Sequence, residues 1–272
     1  MRLALAFLTL FVSVDSKPIK TLVYLAGGPG DTRAAEKPLK SFLSQWETAA
    51  AVPAGTLDGK YFPQKDATLE YAKSESPGLF MLPAVTYFEN EKAWGLQPIA
   101  QVAVKGSPAE TLYVVVKKGT VADLAALKGK TVTTNLLAEA KFADLVVLED
   151  GRPLAKVAKL EYDRSPLAAL KKVREGAAAG VLLDEAQWAG LEKLPFAAEL
   201  TLLAKTKPVP RPVVAVGKGV DKATAAKLKD GLLKLGSSPD AQPTLQQFSV
   251  DGIVAADEAL LAESRKRFGA KK

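Results

Sequence analysis

Two stretches carry groups that could grip a small anion. The first is "KTVTTNLLAEAKF" (130–142): a β-branched run ends in Asn135, and the helix-forming run "LLAEAKF" follows at once. Strand, tight turn and helix start leave backbone N–H groups free for an anion. Yet this turn carries Leu136, Leu137 and Ala138, where an anion cradle has Gly, Ser or Thr. The second stretch is "AGGPGDTR" (26–33). Its glycines, Gly28 among them, can bring backbone amides to an anion. Asp31 or Thr32 can cap the helix that follows. No Lys and Ser/Thr follow the glycines as a phosphate-binding Walker loop requires. Ligand contact and a plain strand–helix turn both stay open for this segment.

Catalytic chemistry has few carriers here. The 272 residues include no cysteine and no histidine. Disulfides, thiolate nucleophiles and Cys-based metal sites are excluded. The usual general base near neutral pH and the commonest nitrogen ligand for metals are missing too. The expectation is a protein that binds rather than one that catalyses, with no cofactor.

The elements that must position these segments read as an α/β alternation. Strands are expected over 19–26, 78–83, 96–104, 111–119, 131–134, 155–162, 177–184, 198–206 and 211–217. Between them, "KPLKSFLSQWETAA" places Leu39, Phe42, Leu43 and Trp46 at helical spacing. "AVTYFEN" starts another helix. "SPLAALKKVREG" has Pro in its first turn with Leu167, Leu170 and Val173 on one face. "EAQWAGLEKL" and "DKATAAKLKDGLLKLG" are further helices, and 237–268 reads as short helices. This alternation implies an α/β fold with largely parallel sheets. Ligands then collect at the strands' carboxyl ends.

The length suits one large or two ordinary domains. Hydrophobic residues make up 48% and charged residues 25%, a soluble globular profile. The net charge is +7, but the only dense basic runs are "SRKRF" (264–268) and the terminal "AKK". With no aromatic–basic motif beside them, the charge reads as a solvated surface, and no nucleic-acid partner is expected. Residues 1–16 form a signal-peptide pattern. Arg2 is a short positive region, 3–12 an apolar run too short to span a bilayer, and Val14 and Ser16 are small enough for cleavage after Ser16. A free periplasmic or secreted protein is expected.

Several segments in this order resemble the type II periplasmic binding proteins, nearest to the phosphate/phosphite/phosphonate-binding (PhnD-like) branch. They are "LYVVVKKGTVADLAALKGKTVTTN", "LAALKKVREGAAAGVLLDEAQW", "AKTKPVPRPVVAV" and "KLKDGLLKLGSSPDAQPTLQQFSVDGIVAADEALL". "LKGK" alone is moderately specific, the ordered set much more so. The resemblance implies an α/β protein of two lobes joined by two hinge strands. Lobe 1 would be discontinuous, 17–109 plus 205–272, and lobe 2 would be 110–204. It implies a monomeric solute-binding protein that hands a small molecule to an ABC transporter permease or another membrane transport component.

The resemblance also implies ligand contacts at Thr86 and Tyr87, at 135–137, and at Asp184 with Trp188 one turn beyond. Each has a plainer reading: helix packing for Tyr87, core for Leu136 and Leu137, a helix cap for Asp184. The branch carries small hydroxyl residues and glycine where this chain has 135–139, so the anion cradle is not carried over. Enzymes known on this fold use a cofactor-bearing Cys or a His, and neither residue exists here. A lipid or sterol carrier, or a sensor domain, is the alternative to an importer component, kept open by the apolar turn.

Overall fold

The structure, a computed structural model, describes residues 17–26, 32–248 and 250–269. The signal-peptide segment, Gly28 and Asp31 lie outside the described residues. The chain first lays down β1 (Ile19–Tyr24), α1 (Thr32–Ala49), β2 (Leu57–Phe62), α2 (Lys65–Glu75), β3 (Leu79–Leu82), α3 (Ala84–Trp94) and β4 (Gln97–Ala103). A short strand β5 (Ala109–Glu110) leads out of this unit. Then come β6 (Tyr113–Lys117), β7 (Thr131–Thr134), α4 (Leu154–Val157), β8 (Lys159–Tyr162), α5 (Pro166–Glu175), β9 (Gly180–Leu183), α6 (Glu185–Leu191) and β10 (Leu200–Lys205). Strand β11 (Val209–Pro210) pairs antiparallel with β5 on the way back. The chain closes with β12 (Val213–Val216), α7 (Lys222–Gly236), α8 (Gln242–Gln246), β13 (Gly252–Val254) and α9 (Glu258–Gly269).

Two large sheets result. One has the order β13-β4-β12-β3-β1-β2 and the other β10-β6-β9-β7-β8, with β5 and β11 forming the two-stranded hinge. The sheets are mixed, not largely parallel. β1 runs parallel to β2 and β3, and β7 to β8 and β9. The antiparallel members include β6 and β12, which enter their sheets from the hinge. A strand that starts at the hinge must run against neighbours whose carboxyl ends point toward it.

The first sheet buries its outer face under α1 and α7. Leu39, Phe42, Leu43 and Trp46 are all buried, as their spacing requires. Trp46 is only 1% exposed, and its Nε1 donates to the Leu228 carbonyl of α7 at 2.7 Å. A Cβ on Gly231 would come within 2.4 Å of the Ala50 backbone, so glycine is what lets α7 approach the end of α1. No helix of the described residues is long and apolar enough to cross a membrane.

Several local expectations fail for identifiable reasons. β2, α2 and β13 carry no sequence signal of their own: "LDGKYF" mixes polar and apolar residues, and its pairing with β1 decides the conformation. The first half of 155–162 is a helical turn, α4, before β8. Leu167 is 57% exposed, whereas Leu170 and Val173 are buried together with Ala169. "LLAEAKF" is not an α-helix. It forms two 3₁₀ turns, Leu136–Ala138 and Ala140–Asp144, with Glu139 extended between them at φ −111°, ψ 110°.

Candidate ligand cleft

The cleft between the two sheets is walled by segments that follow strands. Leu25 and Ala26 follow β1, and Pro83 with Ala84 and Val85 follows β3. Asn135, Leu136, Ala138 and Glu139 follow β7, Tyr162 ends β8 with Arg164 just beyond, and Asp184 follows β9. Glu110, Pro210 and Pro212 close the hinge side, and the volume is about 510 Å³. Carboxyl ends of strands are where open α/β sheets place ligands. A separate cavity of about 20 Å³ inside the first sheet's core, lined by Val23, Leu39 and Phe42, has room for little more than a water.

The turn after β7 is built from local hydrogen bonds. The Thr134 hydroxyl donates to the Leu182 carbonyl at 2.8 Å and accepts from the Leu136 N–H at 3.1 Å. Asn135 accepts at Oδ1 from Gln187 Nε2 at 3.0 Å. Leu136 packs on the core cluster that continues between the two sheets and also faces the cleft. Leu137 is half-buried but is not among the cleft walls. The stretch 135–139 offers no cationic or hydroxyl side chain.

Glu139 turns inward and is 6% exposed. It accepts from the Thr86 hydroxyl at the start of α3, and Lys65 Nζ lies 3.4 Å from the same oxygen. Lys65 also pairs with Glu89, and Glu89 with Lys141 at 2.8 Å. Burial pushes the Glu139 carboxyl above its ordinary range, while Thr86 and Lys65 pull it back.

The other expected contacts divide. Asp184 is a cleft wall and a helix cap at once: it accepts the Gln187 N–H at 2.8 Å and completes a capping box. Burial raises its pKa against those amide bonds. Thr86 is buried, and its hydroxyl is spent on Glu139. Tyr87 is 1% exposed and packs edge-on against Phe88 in the core. Trp188 stacks on Tyr113 at 5.2 Å, in the cluster beneath α5 and α6. Thr32 begins α1, exposed, and is not a cleft wall. Asn135, Leu136 and Asp184 are thus the expected residues that meet in the cleft, while Thr32, Thr86, Tyr87, Leu137 and Trp188 are not among its walls.

Sequence reasoning missed Glu110, Tyr162 and Arg164. "YDRSP" is a strand end followed by a Pro-led helix, the same signal that marked Asn135 and Asp184. Arg164 is exposed at the rim. Glu110 had no such signal, since it lies in a two-residue hinge strand. Its carboxyl is pushed by burial up to about 7 against the pull of Arg211, with Asp184 and Glu185 adding to the rise. Arg211 Nη1 is 3.4 Å from Glu110, and Nη2 is 2.7 Å from Glu185. No group of metal-ligating side chains occurs among the described residues. Among the described residues, the cleft thus combines three carboxylates, one rim arginine, the Asn135 amide and the Tyr162 ring with apolar walls, polar and apolar surface being present in similar amounts.

No protein of curated function matches the sequence. The fold is similar to that of the Xanthomonas citri protein XAC2383 bound to ATP, with a TM-score of 0.70 and 18% identity over 93% of this chain and 97% of that one. It is similar to a binding-protein component of an ABC phosphonate transporter from Pseudomonas aeruginosa, with a TM-score of 0.61 and 14% identity over 93% and 86%. It is also similar to PhnD1 from Prochlorococcus marinus in complex with methylphosphonate, with a TM-score of 0.59 and 16% identity over 92% and 98%. At these identities the likeness shows the fold, which is the two-lobed type II periplasmic-binding-protein fold with two hinge strands. Residues 66–261 match the family described as ABC transporter, phosphonate, periplasmic substrate-binding protein. The match runs over well more than half of the sequence, and the chain belongs to that family.

Proposed function

We propose that this protein is an exported receptor that holds a small molecule with an apolar body between its lobes and passes it to an ABC importer. The lobes in this reading are 17–109 plus 205–272, and 110–204. The observation that carries the ligand class is the turn after β7, which presents Leu136 to the cleft with no cationic or hydroxyl side chain and with the Asn135 amide as its side-chain donor. Methylphosphonate and ATP, the ligands of two structural neighbours, are anions whose desolvation needs several converging donors. Here Glu110, Glu139 and Asp184 face the same space, and like charges at close range repel. Arg164 is the one cationic wall residue among the described residues.

The test has two steps. Mass spectrometry of the molecule released from protein purified from its native host identifies the ligand, and calorimetry then measures it. We expect an apolar body in that molecule and no measurable heat from inorganic phosphate or methylphosphonate. Leu136→Ser should weaken the identified ligand by about 10-fold, the scale of burying part of a leucine. Micromolar or tighter binding of methylphosphonate to the unmodified protein would overturn the ligand class and place the anion on another loop, such as the glycine turn from Gly27 to Gly30. A released lipid or sterol would favour the carrier reading over import.

Export is a separate part of this proposal, resting on the 1–16 pattern. N-terminal analysis of protein from the native host should find a start at Lys17. An intact Met1 on the functional protein would refute cleavage.

A further inference from the structure

We infer that Glu139 is a built-in anion: its carboxylate fills, from lobe 2, a seat for an anionic ligand group formed on lobe 1 by Thr86, Lys65 and the first turn of α3. The inference rests on reading the cleft as the ligand site, and it makes Glu139 the residue that turns phosphate-type ligands away.

The seat is built from independent parts. Thr86 is buried and gives its only hydroxyl proton to Glu139. Lys65 reaches the same carboxylate oxygen from α2, at 3.4 Å. Thr86 lies in the first turn of α3, an 11-residue helix whose cap position is Pro83 with no side-chain acceptor. That end of a helix carries partial positive charge. A hydroxyl, an ammonium and a helix start therefore converge on one point at the cleft wall, and a carboxylate already occupies it.

The backbone supports the same reading. Leu, Ala, Glu and Lys are all good helix formers, yet the run from Leu136 to Phe142 departs from helical dihedrals at Leu137 (φ −84°, ψ 25°) and again at Glu139, which is extended. The break turns Glu139 inward, where an unbroken helix would have carried its side chain with the others. The charges also balance with the glutamate in place. Lys65 and Lys141 stand against Glu89 and Glu139. Without Glu139 the group has one positive charge in excess, beside a vacated seat that opens on the cleft.

Calorimetry with inorganic phosphate and methylphosphonate as probes tests the inference on the mature chain. The unmodified protein should give no measurable binding. Glu139→Ala should bind methylphosphonate at least about 10-fold more tightly, since a like charge leaves the site and its donors are freed. Adding Lys65→Met to Glu139→Ala should abolish the gain, a result that a purely structural role for Glu139 would not produce. Circular dichroism melts check folding. If Glu139→Ala does not fold, Glu139→Gln carries the test, because it keeps the size and an acceptor for Thr86 but removes the charge; a gain of several-fold is expected. A folded variant with no gain overturns the inference and leaves the ligand class above untouched. A gain that survives Lys65→Met overturns the seat. Equal, tight methylphosphonate binding by unmodified and variant protein overturns both the inference and that ligand class.

Discussion

Arg211→Met is expected to destabilise the protein by about 3 kcal/mol at pH 8, near the low end for breaking a buried ion pair. The low end applies because Glu185 keeps a third of its side chain in water. Arg211 joins three things. Its Nε donates to the Ala109 carbonyl at 3.2 Å, and its guanidinium meets Glu110 and Glu185. Its own N–H donates to the Pro108 carbonyl at 2.9 Å. Glu185 in turn accepts the Thr111 N–H at 3.1 Å, so the arginine ties the hinge to the start of α6. Methionine leaves two neighbouring carboxylates without their cation.

The pH dependence follows from Glu110. Its folded-state pKa is raised to about 7 from the ordinary 4.5. The folded form therefore binds the extra proton between those values, and the group's contribution to stability is lost as pH rises through that window. Removing Arg211 takes away the charge that opposes the rise, so the loss extends to higher pH. The gap between unmodified protein and Arg211→Met should be smaller at pH 5 than at pH 8, read from urea unfolding at both. A gap that is constant or wider at pH 5 would show that Arg211 does not act through Glu110.

Trp46→Ala is expected to cost about 3–5 kcal/mol, the range for emptying a large buried aromatic site. Trp46 fills the seam between α1 and α7, 5.9 Å from the Phe42 ring, and bonds the Leu228 carbonyl. Trp46→Phe keeps most of the bulk and loses the hydrogen bond, so it should cost about 1–2 kcal/mol. Urea unfolding followed by circular dichroism reads both variants. A loss under about 1 kcal/mol for the alanine variant would mean that this seam can collapse around the gap.

The strongly patterned segments were legible because burial and sequence period agree in them. Leu39, Phe42, Leu43 and Trp46 face inward as spaced, and the apolar runs at 79–82, 180–183 and 213–216 are fully buried strands. The rest was decided across distance. β2 exists because β1 pairs with it along its whole length. In the run after Asn135 the helix is lost and Glu139 meets Thr86 and Lys65, partners far off in sequence that no local pattern announces. Of the site, strand ends announced Asn135, Leu136 and Asp184. Tyr87 follows the plainer of its two readings and packs in the core beside Phe88, and no local pattern marks Glu110 at the hinge.

The placement of β12 has a consequence in time. It lies between β3 and β4, yet it is made only after every strand of the second sheet. Until Val213–Val216 leaves the ribosome, β3 has an unpaired edge and β4 has no partner on that side. Phe80 and Met81 then sit on a bare strand edge, the kind of surface that invites wrong pairing. The second sheet suffers no such delay, because all five of its strands are made in one unbroken stretch. During synthesis the inserted lobe can therefore finish while the lobe that frames it waits. The last step of folding comes when most of the chain already exists.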